Sequence, residues 1–130
     1  MPDRPWVPEA TRQQHAKSGP YSPALVVPAG ELVVLSGQGP LDADGNLVGD
    51  TIEEQAAVTL DHCERLLAAA GCSLADVVRV GVYLADLASW ERFNMVYAAR
   101  MPEPWPARTA IGCDLLLGML VEVDMWARRP

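Results

Sequence analysis

Apolar and polar residues repeat along this chain with two different periods, and the switches between those periods mark its elements. Ile52, Ala56, Leu60, Cys63, Leu67 and Ala70 recur at spacings of three and four, which places them on one face of a long amphipathic helix. Gly71 should end that helix, because glycine enters the left-handed conformation of a helix terminus without strain. Asp50 or Thr51 can cap its start, since each stands three residues before a glutamate, Glu53 or Glu54, as a capping box requires. The next run, DVVRVGVYLAD, changes to a period of two. Val78, Val80, Val82 and Leu84 fall on one side and Arg79, Gly81 and Tyr83 on the other, the pattern of a half-buried strand. A shorter helix is then expected, with Ser89 as its cap, Trp90, Phe93, Val96 and Tyr97 as its apolar stripe, and Asn94 at the edge of that stripe.

Strands account for the rest. LVVPAGELVVLSG, residues 25–37, reads as two short strands joined by a turn around Pro28, Ala29 and Gly30. The glycine-rich run GPLDADGNLVGD is a loop leading into the first helix. After the proline-stiffened PEPWP, one strand is expected from Ala107 to Cys113 and a last one from Met119 to Ala127. In the last strand Val121, Val123 and Met125 share one face, and Glu122 shares the other with Leu120, Asp124 and Trp126. The order strand, strand, helix, strand, helix, strand, strand predicts an α+β sheet with both helices on one side. Two helices cover one face only, yet ELVVL is apolar on both sides. The uncovered face is therefore expected to be buried by other copies of the chain in a closed homo-oligomer.

A length of 130 residues with 50% hydrophobic content fits one core, spanning residues 19–130. Residues 1–18 carry three prolines, several charges and little periodicity, and read as an irregular N-terminal arm on the surface. No apolar signal region or membrane-length apolar stretch occurs, so a soluble, cytoplasmic protein with no membrane partner is expected. The net charge of -7, with ten scattered basic residues, argues against a nucleic-acid partner, which lysines and arginines would have to hold by displacing counterions. Cys63, Cys72 and Cys113 are too few and too widely spaced for a disulfide framework or a metal-ligand pair, and Cys63 and Cys113 are expected as small core residues. His15 and His62 form no ligand pair, so no metal site is expected.

Four polar positions stand where apolar residues would serve the fold: Arg108, Glu122, Asn94 and the Ser36-Gly37 pair. Each has an ordinary explanation, as an edge-strand charge, the polar side of an alternating strand, a helix surface and a strand end. Tyr21, after Gly19-Pro20, is equally open, since an aromatic there can be a packing anchor.

Taken in order, GPYSPA (19–24), SGQGPLD (36–42), IEEQA (52–56), NMVY (94–97), PAR (106–108) and LVEVD (120–124) resemble the RidA/YjgF family of reactive intermediate deaminases, over about Gly19 to Ala127. The resemblance implies a chorismate-mutase-like α+β fold, assembled as a homotrimer around a central barrel, with ligand clefts between subunits. It also implies hydrolysis of 2-aminoacrylate and related enamines or imines to 2-keto acids and ammonia, with no metal or organic cofactor. By the same resemblance Arg108 holds the carboxylate of a small substrate and Glu122 stands near the attacking water. Tyr21, Ser36, Gly37 and Asn94 line or support the cleft, and backbone groups near Ala110 meet the substrate nitrogen.

The residue types suit that chemistry. A guanidinium offers a carboxylate two parallel donors and stays charged at any working pH. A glutamate in a low-dielectric cleft that raises its pKa can take a proton from water and return it to the leaving nitrogen. Two departures bear on the pocket: Ala110 stands where many relatives carry cysteine, and AARMPEPWP brings in Trp105 without the aromatic pair often found after the tyrosine. Two other readings remain open, a non-catalytic binding or protein-stabilising module on the same fold, and a pathway-specific deaminase of the aminomuconate type. Ribonuclease activity is disfavoured by the acidic charge.

Overall fold

The computed structural model describes residues 3–12 and 19–130. His15 lies outside the described residues. The elements are β1 (Leu32–Gln38), α1 (Ile52–Ala69), β2 (Val77–Leu84), α2 (Trp90–Arg100), β3 (Ala107–Gly112) and β4 (Val121–Arg128), joined by short 3-10 turns. The four strands form one sheet in the order β1-β4-β2-β3. β4 pairs antiparallel with both β1 and β2, whereas β2 and β3 run parallel. That parallel pair requires a crossover, and α2 supplies it.

The helical period of residues 52–70 is realised as α1, whose Ile52, Ala56, Leu60, Cys63 and Leu67 are buried. Each of the two leucines contributes about 2 kcal/mol by leaving water. Two residues share the capping. Thr51 Oγ1 accepts from the Glu54 backbone N–H at 3.1 Å, and the Glu54 carboxylate accepts from the Asp50 N–H, also at 3.1 Å. Gly71 follows the helix with φ +80°, as its position demands. Val80, Val82 and Leu84 of β2 meet Val121, Val123, Met125 and Ala127 of β4 in the same core, closed over by Phe93 and Tyr97 of α2. Both helices thus cover one face of the sheet.

Gln55, of the IEEQA segment, is buried for a reason the sequence pattern hides. Its side chain donates to Gly49 O at 3.1 Å and accepts from Leu120 N–H at 2.9 Å. It therefore ties the loop before α1 to the start of β4 and fixes where Glu122 begins its strand.

Three expectations are corrected. The hairpin within residues 25–37 does not form: Val26 exchanges backbone bonds with Trp6 instead, at 2.9 and 3.1 Å, and β1 pairs with β4. Pro23 and Pro28 bracket that first run and remove the donors a paired strand needs. Ser89 makes no capping bond, because Asp86 caps the 3-10 turn Leu87–Ser89 that runs directly into α2. Cys113 is half-exposed at the end of β3, whereas Cys63 and Cys72 are buried. Burial pushes the Cys63 thiol up to about 12, so it stays protonated as a packing group.

Candidate functional site

The site residues fall into two groups on opposite faces of the sheet. Arg108 stands beside Val80 across the β2–β3 pairing, and Val80 belongs to the helix-side core. Glu122 stands opposite Tyr83, and its neighbours Val121 and Val123 are the ones that face the core. Side chains alternate across a strand, so Arg108 points to the helix side and Glu122 to the open side. β3 is one edge of the sheet, and β4 lies two strands away beside the other edge.

On the helix side, Arg108 is 8% exposed and is the one charged side chain in the buried class among the described residues. Its Nη1 donates to Asn94 Oδ1 at 2.8 Å. Its Nε and Nη2 are buried without a hydrogen-bond partner, and no carboxylate pairs with it among the described residues. The guanidinium carbon lies over three rings, those of Tyr97 at 4.8 Å, Trp90 at 5.0 Å and Tyr21 at 5.6 Å. A buried charge left without its partner costs about 3–5 kcal/mol. Cation–π contacts, at about 1–2 kcal/mol each when desolvated, offset part of that. Burial lowers the arginine's pKa from its ordinary value, with the nearby tyrosines acting in the other direction. The Tyr97 hydroxyl is likewise buried and unpartnered, and burial raises its pKa.

Local sequence explains how these groups meet. Trp90, Asn94 and Tyr97 are spaced by four and three along α2, so they line one side of the helix in successive turns. Tyr21 arrives by a different route. Ser22 forms a parallel bridge with Ala107, its N–H donates to Pro106 O at 3.0 Å, and its hydroxyl donates to Trp105 O. GPYS is thereby fastened to the edge of β3 just before Arg108. Ala110 sits two residues further along that strand, half-buried and beside Val82.

On the open side, Ser36 and Gly37 occupy a bulge in β1, where the register with β4 shifts between Leu35 and Gln38. A bulge re-aims the strand locally. A Cβ at Gly37 would meet the end of the Glu122 side chain, so the glycine leaves that carboxylate its place. Ser36 is exposed and Glu122 half-buried.

Sequence reasoning named Arg108, Asn94, Tyr21, Glu122, Ser36, Gly37 and Ala110, but gave Trp90 and Tyr97 no contact with the arginine. The spacing of Trp90, Asn94 and Tyr97 was the available signal. It also passed over Tyr83 and Asp124 on the open face. The Tyr83 hydroxyl donates to Asp124 Oδ2 at 2.7 Å, and the Gly81 N–H donates to Oδ1 at 3.2 Å.

The family model described as Endoribonuclease L-PSP matches residues 11–129. The chain is 38% identical over 108 residues to a RutC family protein of Pyrococcus horikoshii, covering 82% of this chain and 84% of that one. It is 37% identical over 117 residues to the chloroplastic Reactive Intermediate Deaminase A of Arabidopsis thaliana, covering 88% of this chain and 62% of that longer protein. The mitochondrial protein mmf2 of Schizosaccharomyces pombe is 40% identical over 93 residues, 72% of this chain and 71% of the relative. Relatives therefore span several compartments, and no helix among the described residues is long and apolar enough to cross a membrane. Among solved structures, yeast Mmf1 superimposes with a TM-score of 0.74 at 32% identity, over 95% of this chain and 97% of that one. A putative endoribonuclease of Thermotoga maritima gives 0.73 at 33% identity, over 96% and 98%. With its six motifs in order, its mixed four-stranded sheet and these matches, the chain belongs to the RidA/YjgF family.

Proposed function

We propose that this protein hydrolyses small 2-enamine and 2-imino acids, such as 2-aminoacrylate, to 2-keto acids and ammonia, with Arg108 holding the substrate carboxylate and Glu122 handling the proton. The observation that carries this reading is the buried guanidinium of Arg108, which has no carboxylate partner among the described residues. Asn94 occupies Nη1, so the Nε–Nη2 edge is left for an anion. A bidentate carboxylate would supply the missing bonds and fix the substrate by its non-reacting end. The Arabidopsis relative's name, Reactive Intermediate Deaminase A, points the same way.

One chain cannot place Arg108 and Glu122 on the same ligand, because the sheet lies between them. We infer that the cleft forms between subunits, of a homotrimer as the family resemblance implies, one supplying Arg108, Asn94, Tyr21 and Ala110 and its neighbour supplying Glu122, Ser36 and Gly37. The open face supports such an assembly, since Leu32 is 55%, Val34 58% and Trp126 45% exposed on it. Apolar area of that kind is costly in water and suited to a partner copy around a central barrel.

In the reaction, an enamine substrate first takes a proton at C3, which makes it the protonated imine. Water then adds to C2, and Glu122 accepts the proton that this water loses. Glu122 returns that proton to the carbinolamine nitrogen, the C–N bond breaks, and the C2 hydroxyl gives its proton to the departing ammonia as it becomes a keto group. Imines hydrolyse readily in water, so positioning worth about 3–5 kcal/mol gives a useful rate.

An amino-acid oxidase can generate imino acid in the presence of semicarbazide, and hydrolysis by the protein then lowers the yield of semicarbazone. The parent is expected to suppress semicarbazone formation and Arg108→Ala to lose that effect. An Arg108→Ala variant that suppresses it as well as the parent refutes the clamp. A parent that binds pyruvate but suppresses nothing is a binding module instead.

A further inference from the structure

Arg108 is held by more than one hydrogen bond. Its guanidinium carbon lies over the faces of Tyr97, Trp90 and Tyr21, at 4.8, 5.0 and 5.6 Å, and Asn94 takes Nη1 at 2.8 Å. Nε and Nη2, which share one straight edge of the planar group, are unpartnered. A cation enclosed by ring faces and engaged at Nη1 keeps, along the Nε–Nη2 edge, two parallel in-plane N–H bonds for a ligand. Two coplanar carboxylate oxygens fit that edge. A phosphonate or sulfonate carries a third oxygen out of the plane, where the in-plane N–H bonds of the guanidinium do not reach it.

The three rings are not equally anchored. Tyr97 is fully buried in the core, and Trp90, the first residue of α2, is half-buried and packs against that core. Tyr21 lies on a loop, and its ring also borders a cleft of about 280 Å³ lined by Arg12, Ser22, Pro104 and Trp105. Nε and Nη2 are closed to solvent in the single chain, so a ligand must displace part of the cover. Among the described residues, that cleft leaves space beside Tyr21.

We propose that Trp90 is a positioning residue, which with Tyr97 holds the Arg108 guanidinium so that its ligand enters edge-on as a planar carboxylate, the Tyr21 ring yielding to admit it. This rests on reading Arg108 as a carboxylate clamp, and adds which residue makes that clamp selective for the shape of the anion.

The test is isothermal titration calorimetry on the assembled protein with two probes, pyruvate and acetylphosphonate, which share the keto group and differ in anion geometry. The parent is expected to prefer pyruvate by about tenfold or more. Trp90→Leu, which keeps apolar bulk without a π face, should bind pyruvate about tenfold more weakly and lose most of the preference, while Trp90→Phe should retain both. Thermal denaturation of the same variants checks that the fold survives. Trp90→Leu with the parent's affinity and preference overturns the proposal, as does a parent that binds both probes equally. The clamp is judged separately: Arg108→Ala with undiminished pyruvate binding refutes it, whereas loss of binding in Arg108→Ala beside unchanged Trp90 variants leaves the clamp standing and removes only the role of Trp90.

Discussion

At the residue scale, the central fact is a guanidinium that the described residues leave partly unsatisfied. Asn94 and three aromatic rings compensate one nitrogen and the π-facing surfaces, and leave the Nε–Nη2 edge without a partner among the described residues. Arg108→Lys tests whether geometry matters beyond charge. An ammonium keeps the cation and loses the parallel donors, so kcat/KM is expected to fall about 10- to 100-fold, the equivalent of one charge-assisted hydrogen bond. A lysine variant with the parent's kcat/KM would mean that a point charge suffices. Gly37 gives a second prediction. An added Cβ meets only the end of the flexible Glu122 side chain, which can swing aside at little cost to the fold. Gly37→Ala should therefore lower kcat by about tenfold or more while leaving Tm nearly unchanged, if Glu122 acts where the geometry holds it. Equal losses of activity and Tm would make the contact merely structural.

At the element scale, the sheet's two faces have separate physical tasks. The helix-covered face buries a continuous apolar layer, and the open face mixes Leu32, Val34 and Trp126 with the Tyr83–Asp124 pair. The hydrogen bond to Asp124 raises the Tyr83 phenol above its usual pKa, with burial a smaller cause. A raised folded-state pKa favours the protonated form, so the pair's contribution is complete below about pH 10 and is lost as pH climbs through the folded value. Thermal stability followed from pH 8 to 11 should show that alkaline decline in the parent and a shallower one in Tyr83→Phe. Identical slopes would show that the bond contributes nothing. Most elements were legible from period alone, because burial on one side of α1, β2 and β4 writes itself into residue spacing. The failures were at places where local pattern and tertiary pairing compete. Val26 looked like half of a hairpin, but its backbone partner is Trp6, a residue twenty positions earlier that no periodicity indicates. Ser89 looked like a cap because the 3-10 turn capped by Asp86 is invisible to a helical period.

At the scale of the whole molecule, Arg108 and Glu122 lie on opposite faces of the sheet, so the proposed cleft needs more than one chain. Arg108 and Glu122 were legible as a pair by resemblance, but their separation by the sheet was not, since it depends on strand order and on which edge each strand occupies. In the proposed assembly, apolar residues on the open face are the reason for association and the divided cleft is its consequence. Trp126→Glu places a charge on the face that would be buried, and is expected to shift the assembly toward monomer in analytical ultracentrifugation and to abolish hydrolysis with it. A monomeric Trp126→Glu that retains full activity would contradict a shared cleft. The most direct measurement is complementation between two inactive proteins, Arg108→Ala and Glu122→Gln, dissociated, mixed and reassembled. If each cleft takes its arginine from one subunit and its glutamate from the next, some clefts in the mixed assemblies contain neither substitution, and semicarbazone suppression should return to a substantial fraction of the parent's. If both residues serve one site within a single chain, every site in the mixture carries a defect, and the mixture should remain as inactive as its two components.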